Sequence, residues 1–141
     1  MNYLLDTNVL AELTKAKPDE RVVKWFHSTP RPSRYVSVIT VAEVETGVAA
    51  APDPTRQARY ARALARLRLE YRDRVAVIGE REAMAYITLY RSLKAAGTCI
   101  DPPDALIAAT ALANGWTVAS RNTKHLLRTG ALMINPWEEP A

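Results

Sequence analysis

The chain has 141 residues, 48% of them apolar and 24% charged, which suits one domain with its own core and excludes intrinsic disorder. No apolar run approaches the ~20 residues of a membrane helix, the first residues lack the basic segment and long apolar core of a signal peptide, and a lone cysteine, Cys99, excludes an internal disulfide framework and fits a reducing compartment. With only two histidines beside that cysteine, a metal would have to be held by oxygen; 19 basic against 15 acidic residues give +4, which permits an anionic partner without demanding one.

Tyr3, Leu4 and Leu5 read as a short buried strand ending at Asp6. Thr7 or Asn8 then caps a helix carrying Val9, Leu10 and Leu13, which Pro18 breaks. Asp19 starts a second helix with Val22, Val23, Trp25 and Phe26 inward. Pro30 and Pro32 mark a loop, residues 35–39 are a β-branched second strand, and Thr40 opens the next helix, which ends near Pro52. Residues 55–72 are the clearest amphipathic helix: Tyr60, Leu64, Leu67 and Tyr71 recur at helical spacing, while Arg59, Arg62 and Arg66 line a different face. Residues 75–78 form a third strand. Residues 80–96 form a helix with Ala83, Ile87, Tyr90 and Leu93 inward, stopped by Gly97. Residues 105–113 are apolar all round, so that helix is central and buried. Residues 117–119 and 132–134 complete the strands. Strands alternating with helices predict a single α/β domain over residues 1–141, with a mainly parallel sheet of four to five strands covered on both faces.

Ligands of such sheets bind beyond the carboxyl ends of the strands. Four oxygen-bearing side chains fall at that rim: Asp6 after the first strand, Glu43 in the helix after the second, Asp104 at the head of the buried helix, and Asn122 after the fourth strand. Grouped carboxylates repel one another and raise each other's pKa. A divalent cation removes that repulsion, and oxygen ligands suit Mg²⁺ or Mn²⁺. The reaction class that follows is metal-assisted phosphodiester hydrolysis. Each residue also has a plain structural role. Thr40 and Glu43 have the spacing of a capping box. Asp101 and Pro102 have that of a helix start, and Asn122 that of a cap. Helix periodicity does not separate Glu43 from Glu45; Glu45 lies nearer the stripe of Val41, Val44 and Val48, whereas a first-turn position favours Glu43.

At these residues the sequence resembles the PIN-domain ribonucleases, in particular the VapC-type toxins of toxin–antitoxin pairs. The resemblance is carried by Leu4-Leu5-Asp6-Thr7-Asn8-Val9-Leu10, Ser37-Val38-Ile39-Thr40-Val41-Ala42-Glu43 with Gly47, Asp104-Ala105-Leu106-Ile107-Ala108-Ala109-Thr110-Ala111, Ser120-Arg121-Asn122 and Asn135-Pro136-Trp137, in the family's order. It implies a PIN-like three-layer α/β/α fold and a Mg²⁺- or Mn²⁺-dependent endoribonuclease of the prokaryotic cytoplasm. It also implies a homodimer or larger toxin–antitoxin complex, a VapB-like antitoxin inserted into the active-site groove, and operator DNA reached only through that antitoxin. It carries Asp6, Glu43 and Asp104 over as the metal-binding acids, so settling Glu43 against Glu45, and adds Asn122 as a fourth catalytic position. The family often has aspartate at that fourth position; an amide there ligates or orients water but supplies no charge. Asp101 is a candidate to restore the charge, Thr7 and Asn8 to hydrogen-bond Asp6 or a metal-bound water, and Arg121 to meet substrate phosphate or form a salt bridge.

The other notable residues read as structural. The arginine stripe reads as a solvated face, with RNA phosphates or an acidic antitoxin segment as its alternatives. Trp25 and Phe26 read as core, His125 as a surface or capping histidine, and Cys99 as inert. Asn122 is the one feature that favours a different class, a catalytically silent binding module acting through antitoxin and operator DNA. A haloacid-dehalogenase-like phosphohydrolase wants a second aspartate two residues after the first, where this chain has Asn8.

Overall fold

In a computed structural model of the chain, which describes residues 1–140, Tyr3–Leu5 form β1 at the centre of a five-stranded sheet of order β3-β2-β1-β4-β5. The other strands are β2 (Arg34–Ser37), β3 (Val75–Ala76), β4 (Thr117–Ala119) and β5 (Leu132–Ile134), and every pairing is parallel. The helices are α1 (Thr7–Leu13), α2 (Glu20–Ser28), α3 (Val38–Ala49), α4 (Pro54–Glu70), α5 (Glu80–Ala95), α6 (Pro102–Asn114) and α7 (Thr123–Leu126). This is the α/β/α arrangement the alternation of elements predicts. Among the described residues no helix is long and apolar enough to cross a membrane.

The two-residue period of the strands divides the core. Leu4 and Val118 point to one face of the sheet, where Leu89 and Leu93 of α5 and Ile107, Ala108 and Ala111 of α6 pack on them. Leu5, Val36 and Ala119 point to the other, against Val9, Val22, Trp25, Val41, Leu67 and Tyr71 of the α1–α4 side. The small side chains of α6 let it lie close against the sheet, and Gly115 ends it in the left-handed conformation at φ 68°.

Five details depart from the sequence-based expectation. Asp6 itself caps α1, its carboxylate accepting from the Thr7 amide, so neither Thr7 nor Asn8 does. β2 stops at Ser37 because the Ser37 hydroxyl captures the Ile39 amide at 3.0 Å and starts α3 there. No capping box forms at Thr40, and Glu43 falls in the second helical turn rather than the first. In α5 the buried residues are Glu82, Leu89 and Leu93: the two leucines pack into the core with α6, and the Glu82 carboxylate reaches back to accept from the Gly79 amide at 3.1 Å. Ile87 and Tyr90, expected inward, are exposed together with Met84. β3 is two residues long, and Val77 beyond it is exposed at the sheet edge.

Candidate active site at the sheet switch point

From β1 the sheet grows one way through β2 and β3 and the other way through β4 and β5. The crevice at the carboxyl ends of β1 and β4 is therefore the topological switch point, where ligands of open α/β sheets bind. Asp6 follows β1 and Ser120 follows β4, and the Ser120 hydroxyl donates to Asp6 Oδ2 at 2.7 Å across that crevice. Asp6 Oδ1 accepts from the Thr7 amide at 2.8 Å, and Asn8 Nδ2 stands 3.4 Å from Oδ2. These bonds explain how a carboxylate only 6% exposed is tolerated at the end of an apolar strand.

The Ser120 hydroxyl also accepts from the Asn122 amide at 2.9 Å and from Asn8 Nδ2 at 3.2 Å. Asn8 Oδ1 accepts from the Arg121 amide at 3.3 Å. Residues 6, 8, 120, 121 and 122 therefore form one hydrogen-bonded rim. Asn122 stands at the N-cap position of α7 but makes no side-chain cap bond, so its amide is not consumed by the structural role its position offered.

Glu43 reaches the rim from α3 through Thr7, whose hydroxyl donates to Glu43 Oε1 at 3.0 Å and lies 3.3 Å from the hydroxyl of the buried Thr40. Glu45 instead pairs with Arg68 of α4 at 3.1 Å. The structure so separates the two glutamates that periodicity left undivided. Asp104 opens α6, half-buried. Burial pushes its carboxyl above the usual carboxylate range, and the negative charges of Asp6, Glu43 and Asp101 push it the same way, against a smaller opposite pull from His125. Asp101 sits at the N-cap position but makes no side-chain cap bond: Pro103 has no amide to offer it, and the Asp104 amide is not taken by it. Its carboxylate is left facing solvent near Asp104.

The donors present are all oxygen, and they gather negative charge around a half-buried acid; that combination fits Mg²⁺ or Mn²⁺ and not zinc. Among the described residues, no three acidic, histidine or cysteine side chains close on one point at ligand distance. Arg121 makes no ion pair among the described residues; its guanidinium lies over the Trp137 ring, 5.3 Å from the centroid.

Two contributors carried too little weight in the sequence. Ser120 is the hub of the rim, and its signal was a serine ending a strand two residues before an asparagine, the spacing of a hydroxyl-capped turn. Phe26 packs against the core only in part: with Val23, Val44 and Tyr60 it also lines an apolar groove of about 790 Å³ between α1, α2, α3 and α4, while Trp25 is buried as expected. Thr7 lines the same groove, so the groove runs up to the hydroxyl that holds Glu43.

A family model described as the PIN domain matches residues 3–132. The chain is 38% identical over 141 residues to the VapC ribonuclease Y4jK of Sinorhizobium fredii, covering 96% of this chain and 97% of that one. It is 34% identical over 137 residues to the toxin FitB of Neisseria gonorrhoeae, covering 96% and 99%. The fold superposes at a TM-score of 0.89 on a chain in the structure of FitAB bound to an IR36 DNA fragment, at 33% identity and with 99% and 98% of the two chains covered.

Proposed function

The chain belongs to the PIN-domain family, as a toxin of the VapC type, and from that membership we propose that it is a divalent-metal-dependent endoribonuclease that hydrolyses RNA phosphodiester bonds. Asp6, Glu43 and Asp104 would hold the Mg²⁺ or Mn²⁺. The observation that supports this most is the placing of Asp6 and Glu43 on the hydrogen-bonded rim at the sheet switch point, with the half-buried Asp104 near enough that their negative charges push its carboxyl up. A cation bound there supplies Lewis-acid polarisation of the phosphate and a lowered pKa for water. The chain's own residues do the rest. Ser120 and the Thr7 amide fix Asp6, and Thr7 fixes Glu43. Asn122, on the same rim, orients the attacking water, and Arg121 on the Trp137 face presents a guanidinium to phosphate. Water attacks phosphorus in line and the P–O3′ bond breaks, leaving 5′-phosphate and 3′-hydroxyl ends.

The apolar groove suits a segment of a VapB-like antitoxin that ends at the acids and blocks them, with operator DNA contacted through that antitoxin. FitAB, the relative bound to DNA, supports this assembly. The exposed Met84, Ile87 and Tyr90 on α5 give an apolar face for a second copy of the chain. Purified protein free of antitoxin is expected to sediment as a dimer and to cleave RNA with Mg²⁺ or Mn²⁺. Cleavage should stop in EDTA and return with excess metal. Cleavage indifferent to EDTA would overturn the metal site. No cleavage of any RNA pool, with no metal binding by calorimetry, would replace the enzyme with a silent binding module.

The two glutamates give a sharper check. Glu43→Gln should lower kcat/KM at least about a hundredfold, because metal-borne charge stabilisation is worth several kcal/mol. Glu45→Gln removes only the exposed pair with Arg68, worth under about 1 kcal/mol, and should leave cleavage within about threefold. Equal losses in both variants would dissolve the assignment of Glu43.

A further inference from the structure

We propose that the arginine face of α4, formed by Arg59, Arg62 and Arg66, is the track that holds the phosphates of single-stranded RNA as it enters the acidic site. This rests on the nuclease reading of that site. At 3.6 residues per turn the three side chains fall within an arc of roughly 60°. The adjoining arc carries Ala63 and Glu70, which line the groove, and Arg66 lines it as well. The row is therefore the rim of the groove and not its far side.

The arginines around the row have partners inside the molecule. Arg56 pairs with Asp53 at 3.6 Å, and Arg68 with Glu45 at 3.1 Å. Among the described residues Arg59, Arg62 and Arg66 make no ion pair, although all three are exposed; Arg59 rests 5.3 Å from the centroid of the Tyr60 ring. Like charges three and four residues apart on one helix face repel and destabilise the helix. An external anion removes that cost, and guanidinium binds phosphate through two parallel hydrogen bonds.

The site at the end of the groove selects which anion. Asp6, Glu43, Asp104 and Asp101 repel a phosphodiester backbone as it approaches. A polyanionic substrate needs a compensating line of cations beside the entrance, and the row supplies one. The groove that Arg66 and Tyr60 line is also lined by Thr7, which donates to Glu43, so a strand held on the row borders the groove that reaches the acids. A protein segment is satisfied by the apolar lining and has no such need.

The test uses the full chain with Asp104→Asn, which binds without cutting, and a fluorescein-labelled oligouridylate followed by anisotropy from low to moderate salt. Replacing Arg59, Arg62 and Arg66 together by alanine should weaken binding about tenfold or more and lower the slope of log affinity against log salt by about 2, at roughly 0.7 per single-strand phosphate contact. The triple lysine variant should restore the slope. Removing Arg91, Lys94 and Arg128 instead should leave both quantities near the starting values. In the active protein the alanine variant should raise KM and spare kcat. A slope and KM unchanged in a protein that does cleave RNA would overturn the track and leave the nuclease intact. A wild type that cuts nothing but binds with an arginine-dependent slope would do the reverse. RNA binding unchanged while affinity for the antitoxin falls would hand the row to an acidic protein partner and overturn the proposal.

Discussion

Asp104→Asn should abolish cleavage and leave the metal-free protein at least as stable as the wild type. The loss of activity follows from charge: the amide keeps the size of the side chain and removes one of three anionic metal ligands. At several kcal/mol of transition-state stabilisation, the expected fall in kcat/KM is at least about a thousandfold. The stability follows from the direction of the Asp104 shift. Burial and the neighbouring Asp6, Glu43 and Asp101 charges raise its carboxyl pKa in the fold. The native state then binds this proton more readily than the unfolded chain does. The group therefore favours folding when protonated, and that contribution is lost as pH rises through the raised native value.

At neutral pH the wild type carries an unfavourable ionised carboxylate that the asparagine variant lacks; at acid pH both are neutral there and their stabilities should converge. Added Mg²⁺ should reverse the order. It stabilises only the protein that binds it, by about 2.7 kcal/mol at a hundred times the dissociation constant, and the wild type binds it better. Thermal unfolding in EDTA and in Mg²⁺, from mildly acid to neutral pH, checks each step. A variant that unfolds earlier than wild type in EDTA and still cleaves RNA would show that Asp104 is a structural residue.

The positions where sequence and structure part follow from which signals are local. β1 and β4 are short apolar runs, almost wholly buried, and β5 is a partly exposed edge run; each ends at a polar residue, Asp6, Ser120 or Asn135, so their limits were legible. β2 was not, because Val38 and Ile39 extend its β-branched run and nothing local shows that the Ser37 hydroxyl ends the strand by capping α3. α5 has apolar residues on two faces. Ala83, Ile87 and Tyr90 fit helical spacing as well as Leu89 and Leu93 do, and the packing of the two leucines with α6, which lies outside the segment, decides which face meets the core. Asp6, Glu43 and Asp104 were legible as acids at successive strand ends, but Glu43 for the wrong local reason, since it reaches the rim from the second turn through Thr7. Ser120 was invisible as a hub because its partners Asp6 and Asn8 lie more than a hundred residues away in sequence.

Asp6 joins fold and chemistry in one side chain, and a pair of substitutions separates them. Asp6→Ala removes the α1 cap, about 1 kcal/mol, and takes from the buried Ser120 hydroxyl its acceptor at 2.7 Å, a further cost of about 1–3 kcal/mol. Release of the buried carboxylate offsets part of this. The variant should melt roughly 6 °C lower, at about 3 °C per kcal/mol for a chain of this size, and should be inactive. Asp6→Asn keeps a good cap, because its carbonyl oxygen still accepts from the Thr7 amide, but its amide nitrogen replaces an acceptor, and the Ser120 hydroxyl, already accepting from Asn122 and Asn8, gives up one of those bonds to receive it. That variant should melt within about 3 °C of wild type, with the cap kept and about one hydrogen bond lost at the rim. It should nonetheless lose cleavage as fully as Asp104→Asn. Differential scanning fluorimetry and RNA cleavage on the three proteins distinguish the cases. If Asp6→Asn keeps both stability and cleavage, Asp6 is a helix cap alone and the metal site must be built without it. If it is as unstable as Asp6→Ala, the carboxylate charge itself holds the rim together. Stability retained with cleavage lost is the outcome expected of a residue whose one oxygen caps a helix while the carboxylate's charge serves the site.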